Sequence, residues 1–284
     1  MLYCEVRFFE TRGETMVELA EERSAAAWKI KNLQDYDGRL ERAARKFDEV
    51  SRERPEPALV VYASALEKSG RSEDEIRGMV REFRETFEDE EEPLTITHAS
   101  AIMSVEGDGW FFGEENLRVL TGRLLGQFQH RVAQYNYVDE REVLRRWADG
   151  YDTRLFVRRR IHETEPVIGV VGGLDLNLFQ YLRVAAGGNT LVPTENVSRA
   201  LGALGYEGDP YETLAHAEGL ALYLELPAPI VGEMLEDLGR EGFEDFPELP
   251  SETAKTEEKE EEDLPSEGDS VEDGAAEERP SPED

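Results

Sequence analysis

The sequence predicts a mainly α-helical protein with an acidic C-terminal tail. Three observations favour this fold class. Apolar residues recur at helical spacing through most of residues 1–250, Gly and Pro stand at the ends of the periodic segments, and a strand-like pattern is limited to residues 2–9. We therefore predict one helical domain over residues 1–250, with a short N-terminal strand.

The first half of this domain reads as a series of helices. Ser72 with Glu75 forms a capping box, and Pro55 and Pro57 precede a helix that stops at Gly70. Residues 94–105 fit no single period, and residues 107–113 are predicted as a loop. The helices predicted in this half cover residues 14–34, 39–52, 58–68, 72–87, 115–131, 139–148 and 153–163.

From Pro166 onward Gly and Pro punctuate the chain at regular intervals. A Gly-rich turn over residues 169–173 precedes the next helix, and Asp209 is the expected N-cap of a later one, with Pro210 in its first turn. The last helix is predicted to end at Gly239. The helices of this half are predicted over residues 174–186, 193–204, 209–225 and 228–239.

Residues 251–284 differ in composition from the rest of the chain. They contain 15 acidic and 3 basic residues, a net charge of −12, and no aromatic residue. Such a segment buries too little apolar surface to offset the entropy lost on ordering, so we predict a disordered tail. A solubilising polyanion is the favoured role, and displacement of nucleic acid or docking to a basic partner is the alternative.

The charge balance of the whole chain is strongly acidic. The 64 Asp and Glu residues against 32 Lys and Arg give a net charge of −32, and only 6 of the basic residues are Lys. This composition is typical of an extremely halophilic cytoplasm, where molar salt shortens the Debye length to about 3 Å. We therefore expect the fold to depend on salt. The acidity then reflects the solvent and does not by itself exclude a nucleic-acid partner.

Several classes of protein are disfavoured by composition. A single cysteine, Cys4, permits no internal disulfide and no metal motif built on several cysteines. The first residues lack a signal-peptide pattern and no long apolar run occurs, so we expect a soluble, cytoplasmic protein without a membrane partner. No cofactor and no metal are expected, because the four histidines lie far apart in sequence: His98, His130, His162 and His216.

The most distinctive segment covers residues 167–205, VIGVVGGLDLNLFQYLRVAAGGNTLVPTENVSRALGALG. A glycine turn at Gly172 opens a helix, YLRVAAGG ends that helix, and VPTENVSRAL begins the next. This order resembles the helix-hairpin-helix part of the DNA glycosylase superfamily that includes endonuclease III. The resemblance implies a glycosylase-like helical fold and DNA as the partner.

The resemblance also implies a phosphate-binding site. It places Gly172, Gly173 and Leu174 at the turn whose backbone N–H groups, with the positive end of the following helix, would contact a DNA phosphate. The stretch before the turn is rich in arginine, and we predict that Arg158, Arg159 and Arg160 add phosphate contacts.

The catalytic positions of the family are not retained. With Gly172 as the first turn glycine, Leu176 stands at the lyase-type Lys position, Thr194 at the catalytic Asp position and Asn196 at the position of the following His. The remaining candidates for a relocated acid are Asp175 and Glu195. The single cysteine also leaves no ligands for an iron–sulfur cluster.

Two further patterns have alternative interpretations. An aromatic cluster in the 107–113 loop, Trp110, Phe111 and Phe112, suits either base stacking or packing on the core. Residues 220–243 have helix-turn-helix spacing, but the second helix carries Glu233, Glu236 and Asp237, so packing as two core helices is favoured.

The leading prediction is a non-catalytic DNA-binding protein linked to DNA repair or genome maintenance. One alternative is a protein-interaction adaptor on a degenerate glycosylase scaffold. The other is an active base-excision glycosylase with a relocated catalytic acid. The sequence leaves the oligomeric state open.

Overall fold

The core of the protein is built around one short helix that is apolar on every side. The structure is a computed structural model, and it describes residues 16–53, 56–88, 94–105, 114–135, 139–151 and 161–250. The central helix, Pro57–Leu66, has the sequence PALVVYASAL, and its residues 58–66 are all buried. A helix that is apolar all round is stable only when other elements surround it.

Eleven α-helices occur in the described residues, and the predicted mainly α-helical class is confirmed. In chain order they are α1 (Met16–Lys31), α2 (Tyr36–Glu53), α3 (Pro57–Leu66), α4 (Glu73–Phe87), α5 (Ile96–Val105), α6 (Glu115–Ala133), α7 (Glu140–Asp149), α8 (Leu176–Ala185), α9 (Glu195–Ala203), α10 (Pro210–Leu224) and α11 (Ala228–Glu241). Two 3₁₀ turns, Glu67–Ser69 and Ile161–Glu163, join them.

The helices pack in two groups that share a single core. Helix α3 contacts α4, α5, α6, α7 and α8, while α11 packs against α2, α9 and α10, and α1 packs against α10. Aromatic pairs link the first group: the rings of Tyr62 and Phe83 stack at 4.5 Å, and those of Phe128 and Trp147 meet edge to face at 4.9 Å. Buried residues of both groups belong to one continuous apolar cluster.

Most helix starts lie where their capping residues predicted them. Ser72 and Asp209 each form a complete capping box, and Asp139 caps α7 through the N–H of Arg141. Helix α9 begins two residues later than predicted, because Thr194 serves as its N-cap and accepts a hydrogen bond from the N–H of Val197.

The segment over residues 94–105, which the sequence left open, contains helix α5. One predicted helix end differs from the structure. Helix α11 was predicted to end at Gly239 but continues to Glu241 and ends at Gly242, whose φ of 65° is left-handed. Gly239 is instead an interior glycine that lies against the backbone of Asn196.

Several predicted segments lie outside the described residues. These are the N-terminal strand with Cys4, the aromatic loop with Trp110, Phe111 and Phe112, residues 153–160, and the tail over residues 251–284. The chain divides into two units, Met1–Pro247 and Glu248–Asp284, and all eleven helices belong to the first.

Candidate nucleic-acid interface and adjoining cavity

A buried carboxylate holds the segment that leads into the glycine turn. Glu165 is fully buried, and its Oε1 accepts hydrogen bonds from the indole N–H of Trp147, at 3.1 Å, and from the hydroxyl of Tyr151. Its Oε2 accepts from the backbone N–H groups of Val167, at 2.9 Å, and Ile168. Four donors satisfy the two oxygens of a polar group that would otherwise be costly to bury, and they fix residues 165–168 against α7.

The glycine turn runs from Val171 to Leu174. The N–H of Leu174 donates to the carbonyl oxygen of Val171 at 3.2 Å, and Gly173 has a φ of +94°, a conformation that side-chain-bearing residues rarely adopt. Gly172 and Gly173 are exposed, and their N–H groups donate to no other described residue. The turn therefore leaves two backbone donors without an acceptor among the described residues.

Two cations from distant parts of the chain lie beside the turn. A Cβ placed on Gly172 would stand 3.6 Å from a terminal nitrogen of Arg123, an exposed residue of α6. Lys68 donates to the carbonyl oxygen of Gly173 at 2.9 Å and forms an ion pair with Asp175. We call Gly172, Gly173, Lys68 and Arg123 the glycine turn site. The sequence analysis missed both cations, because Lys68 precedes the segment by more than 100 residues and Arg123 lies on another helix.

The predicted site residues are only partly assembled by the structure. Gly172, Gly173 and Leu174 form the turn, and Leu174 is half-buried. The run Arg158–Arg160 lies outside the described residues. Asp175 caps α8: its carboxylate accepts from the N–H of Leu178 at 2.8 Å and pairs with Lys68, so it neutralises part of the positive charge at the turn.

Two polar side chains at the start of α9 form hydrogen bonds with a carboxylate of α11. The Thr194 hydroxyl donates to Glu236, and the Asn196 amide donates to Oε1 of Glu236 at 2.7 Å. Gly232 and Gly239 face the chain around α9, where a Cβ would come within 2.8 Å of Leu191 Cβ and 1.9 Å of the Asn196 carbonyl oxygen. The two glycines therefore allow α11 to approach closely enough for Glu236 to reach both donors.

A cavity of about 270 Å³ opens beside this contact. Helices α2, α8, α9 and α11 supply most of its walls, and the rest comes from Glu67, Glu73 and the segment just before α9. Its polar lining consists of Lys46, Glu67, Glu73, Tyr181, Thr194, Glu233, Glu236 and Arg240. Its apolar lining includes Phe47, Val184, Ala185, Leu191, Val192, Val197 and Pro229. Glu67 directly precedes Lys68, so one 3₁₀ turn connects the cavity to the glycine turn site.

On one wall of the cavity a lysine lies between two carboxylates. Lys46 Nζ lies 2.8 Å from Glu233 and 3.4 Å from Glu73. Burial opposes the charge of Lys46, but the two carboxylates outweigh it and raise its pKa. Burial also opposes the charge of Glu233, which raises the pKa of this carboxyl group. The attraction of Lys46 lowers that pKa but does not fully offset the effect of burial. A lysine held protonated in this way is a poor nucleophile.

The two candidate acids predicted from the sequence do not line this cavity. Glu195 is the first residue of α9 and is exposed, and Asp175 lies at the N-terminus of α8. The carboxylates that reach the cavity come from the 67–73 segment and from α11. Leu176, at the lyase-type Lys position, is buried in the core.

Other aromatic and histidine side chains of the described residues pack against neighbouring side chains. Trp147 is buried against Phe128, whereas the exposed ring of Tyr135 lies under the Arg131 guanidinium. The ring of His162 is buried and lies 2.6 Å from the Tyr211 hydroxyl. Among the described residues, no group of three or more His, Cys, Asp or Glu side chains is placed to hold a metal ion.

Comparisons with known proteins give no relative. The chain matches no protein-family model, no curated protein and no solved structure. None of the described helices is long and apolar enough to cross a membrane. The geometry of the glycine turn site and the cavity therefore carries the functional argument.

Proposed function

We propose that the protein binds DNA through the phosphate backbone, with the glycine turn site as the contact. One observation carries the proposal: in an exposed turn beside the Arg123 guanidinium, the N–H groups of Gly172 and Gly173 have no acceptor among the described residues. Backbone donors next to a cation at the start of a helix are the arrangement that binds phosphate oxygens. A role in DNA repair or genome maintenance, without catalysis by the protein itself, follows from the resemblance of residues 167–205.

The charge at this site limits the contact to a few phosphates. Lys68 is shared with Asp175, so Arg123 is the cation left to meet the phosphate directly, and Arg158–Arg160 are proposed to extend the contact. Because the body carries a net charge of −20 over residues 1–250, DNA is repelled except where donors and cations concentrate. We therefore expect modest, sequence-independent affinity that falls with salt.

Fluorescence anisotropy of a labelled duplex, measured over a KCl series, tests this contact. Arg123→Ala should weaken binding about tenfold, because one charge-assisted hydrogen bond is lost. The slope of log affinity against log salt concentration should also become smaller, by the contribution of about one phosphate contact. Arg81→Ala, which removes an exposed arginine of α4 outside the site, is the matched control. The triple change of Arg158–Arg160 to Glu should abolish binding without altering the far-UV circular dichroism.

The outcome also separates the alternatives. If the folded wild-type protein binds no duplex at any KCl concentration, DNA binding fails and the protein-interaction adaptor becomes the better proposal. Equal losses in Arg123→Ala and Arg81→Ala would place the contact elsewhere. Release of a base from damaged duplexes by the wild-type protein would support the base-excision alternative, which the proposal does not expect.

A further inference from the structure

The cavity between α2, α8, α9 and α11 has the features of a small-molecule site. Its volume of about 270 Å³ is just below the usual range for ligand pockets, which starts at about 300 Å³. It combines an apolar wall, which includes Phe47, Leu191 and Pro229, with a few convergent polar side chains. Nothing in the DNA contact described above uses it.

Each cation of the cavity is shared between two carboxylates. Lys46 lies between Glu73 and Glu233, at 3.4 and 2.8 Å. Arg240 lies between Glu236 and Asp237, at 3.4 and 3.0 Å. Four carboxylates line the cavity, those of Glu67, Glu73, Glu233 and Glu236, against the two cations Lys46 and Arg240. Arg77 also pairs with Glu73, at 2.9 Å, so one carboxylate remains in excess.

The Tyr181 hydroxyl lies where the excess negative charge of the cavity acts. Tyr181 lines the cavity, and its hydroxyl makes no hydrogen bond to another described residue. Burial raises the pKa of Tyr181, and the carboxylates of Glu67, Glu236, Glu233 and Glu73 raise it further. Four carboxylates thus act on one polar atom that has no hydrogen-bond partner among the described residues.

We propose that this cavity binds a small organic ammonium ion. Its N–H groups would face Glu236 and the oxygen of Tyr181, and its hydrocarbon part would pack against Leu191 and its apolar neighbours. A cation gains from the excess negative charge in a partly enclosed space, where salt screens less than at the surface. An anion of the same shape is repelled, and a neutral analogue lacks the Coulomb attraction. The proposal does not depend on DNA binding.

Isothermal titration with three probes of matched shape tests the ligand class. Benzylamine, benzyl alcohol and benzoate differ mainly in the charge of the polar group. We expect benzylamine to bind at least about tenfold more tightly than the alcohol, since a hydrogen bond to a charged group is worth more than a neutral one. Benzoate should not bind. Equal affinity for benzylamine and benzyl alcohol, or no binding of benzylamine at tens of millimolar, would overturn the proposal.

Substitutions locate the site within the folded protein. Glu236→Gln keeps the shape of the side chain and should weaken benzylamine binding about tenfold. Glu195→Gln, an exposed change outside the cavity, should leave it within about twofold. Lys46→Met removes a competing cation and should strengthen binding. Should Glu236→Gln disturb the fold, Tyr181→Phe removes only the hydroxyl and should still weaken binding. Equal effects of Glu236→Gln and Glu195→Gln, or weaker binding after Lys46→Met in a folded protein, would contradict the site.

Discussion

The contact between α9 and α11 makes a sharp prediction at Gly239. A Cβ at this position would lie 1.9 Å from the carbonyl oxygen of Asn196 and 2.5 Å from its carbonyl carbon. Both atoms are backbone, so no side-chain rotation can relieve the clash, and α11 must move away from α9. We therefore expect Gly239→Ala to destabilise the protein although alanine is the better helix former.

The magnitude follows from two opposing effects. Overpacking against a rigid neighbour costs up to about 3 kcal/mol, and the higher helix propensity of alanine returns about 1 kcal/mol. The net loss is then about 2 kcal/mol, which lowers the melting temperature of a domain of this size by about 4–8 °C. The matched control is Gly78→Ala in α4, where a Cβ meets nothing within 4 Å. There the propensity alone acts, and the melting temperature should rise by about 2–4 °C.

Thermal unfolding followed by circular dichroism, in one fixed KCl concentration, measures both variants. A Gly239→Ala protein that melts with or above the wild type would refute the close contact between α9 and α11. The same displacement would separate Glu236 from Thr194 and Asn196, so benzylamine binding should weaken in this variant as well.

Two further predictions concern carboxylates of the body. Glu165→Gln replaces one carboxylate oxygen, which accepts two hydrogen bonds, by an N–H₂ group, so two buried donors lose their acceptor. The free energy of unfolding, measured in denaturant titrations, should therefore fall by about 3 kcal/mol. A loss below about 1 kcal/mol would show that the surrounding structure relaxes. Carbon-13 NMR should find the pKa of Glu73 below 4.5, where burial is outweighed by Lys46 and Arg77, and the pKa of Glu233 above 4.5, where burial dominates. The stabilisation that Glu73 contributes is then lost as the pH falls through its pKa, whereas protonation of Glu233 in the same titration favours the folded state. A pKa of Glu73 above that of Glu233 would contradict the described cavity wall.

Local chemistry accounts for the parts of the fold that the sequence predicted well. The capping boxes at Ser72 and Asp209 satisfy the first N–H groups of their helices from within a few residues, so their signal is readable along the chain. Helix α3 begins at Pro57, because the fixed φ and missing N–H of proline suit the first helical position, and this signal is also local. The 94–105 segment carried a weaker signal: Thr95 caps its helix by accepting a hydrogen bond from the N–H of His98 at 3.0 Å, but no Glu or Gln completes a capping box. This helix also packs against α3 and α6.

Gly239 shows why one helix end was misplaced. A glycine can end a helix through a left-handed conformation, or it can lie within a helix where another backbone comes close. The two uses look alike in sequence. The structure assigns the first use to Gly242, with a φ of 65°, and the second to Gly239.

The candidate sites depend on neighbours that no local pattern reveals. The glycine turn was predictable from residues 169–173, but its cations come from α6 and from the 3₁₀ turn after α3. At the start of α9 the situation is similar. Thr194 and Asn196, which the resemblance sets at the Asp and His positions, are both donors, and the carboxylate that they bind is Glu236 of α11. The segment itself offers Asp175 and Glu195 as candidate acids. Its sequence does not indicate a carboxylate that another helix supplies. The chemistry of this region therefore has to be tested at Glu236 as well as along the motif.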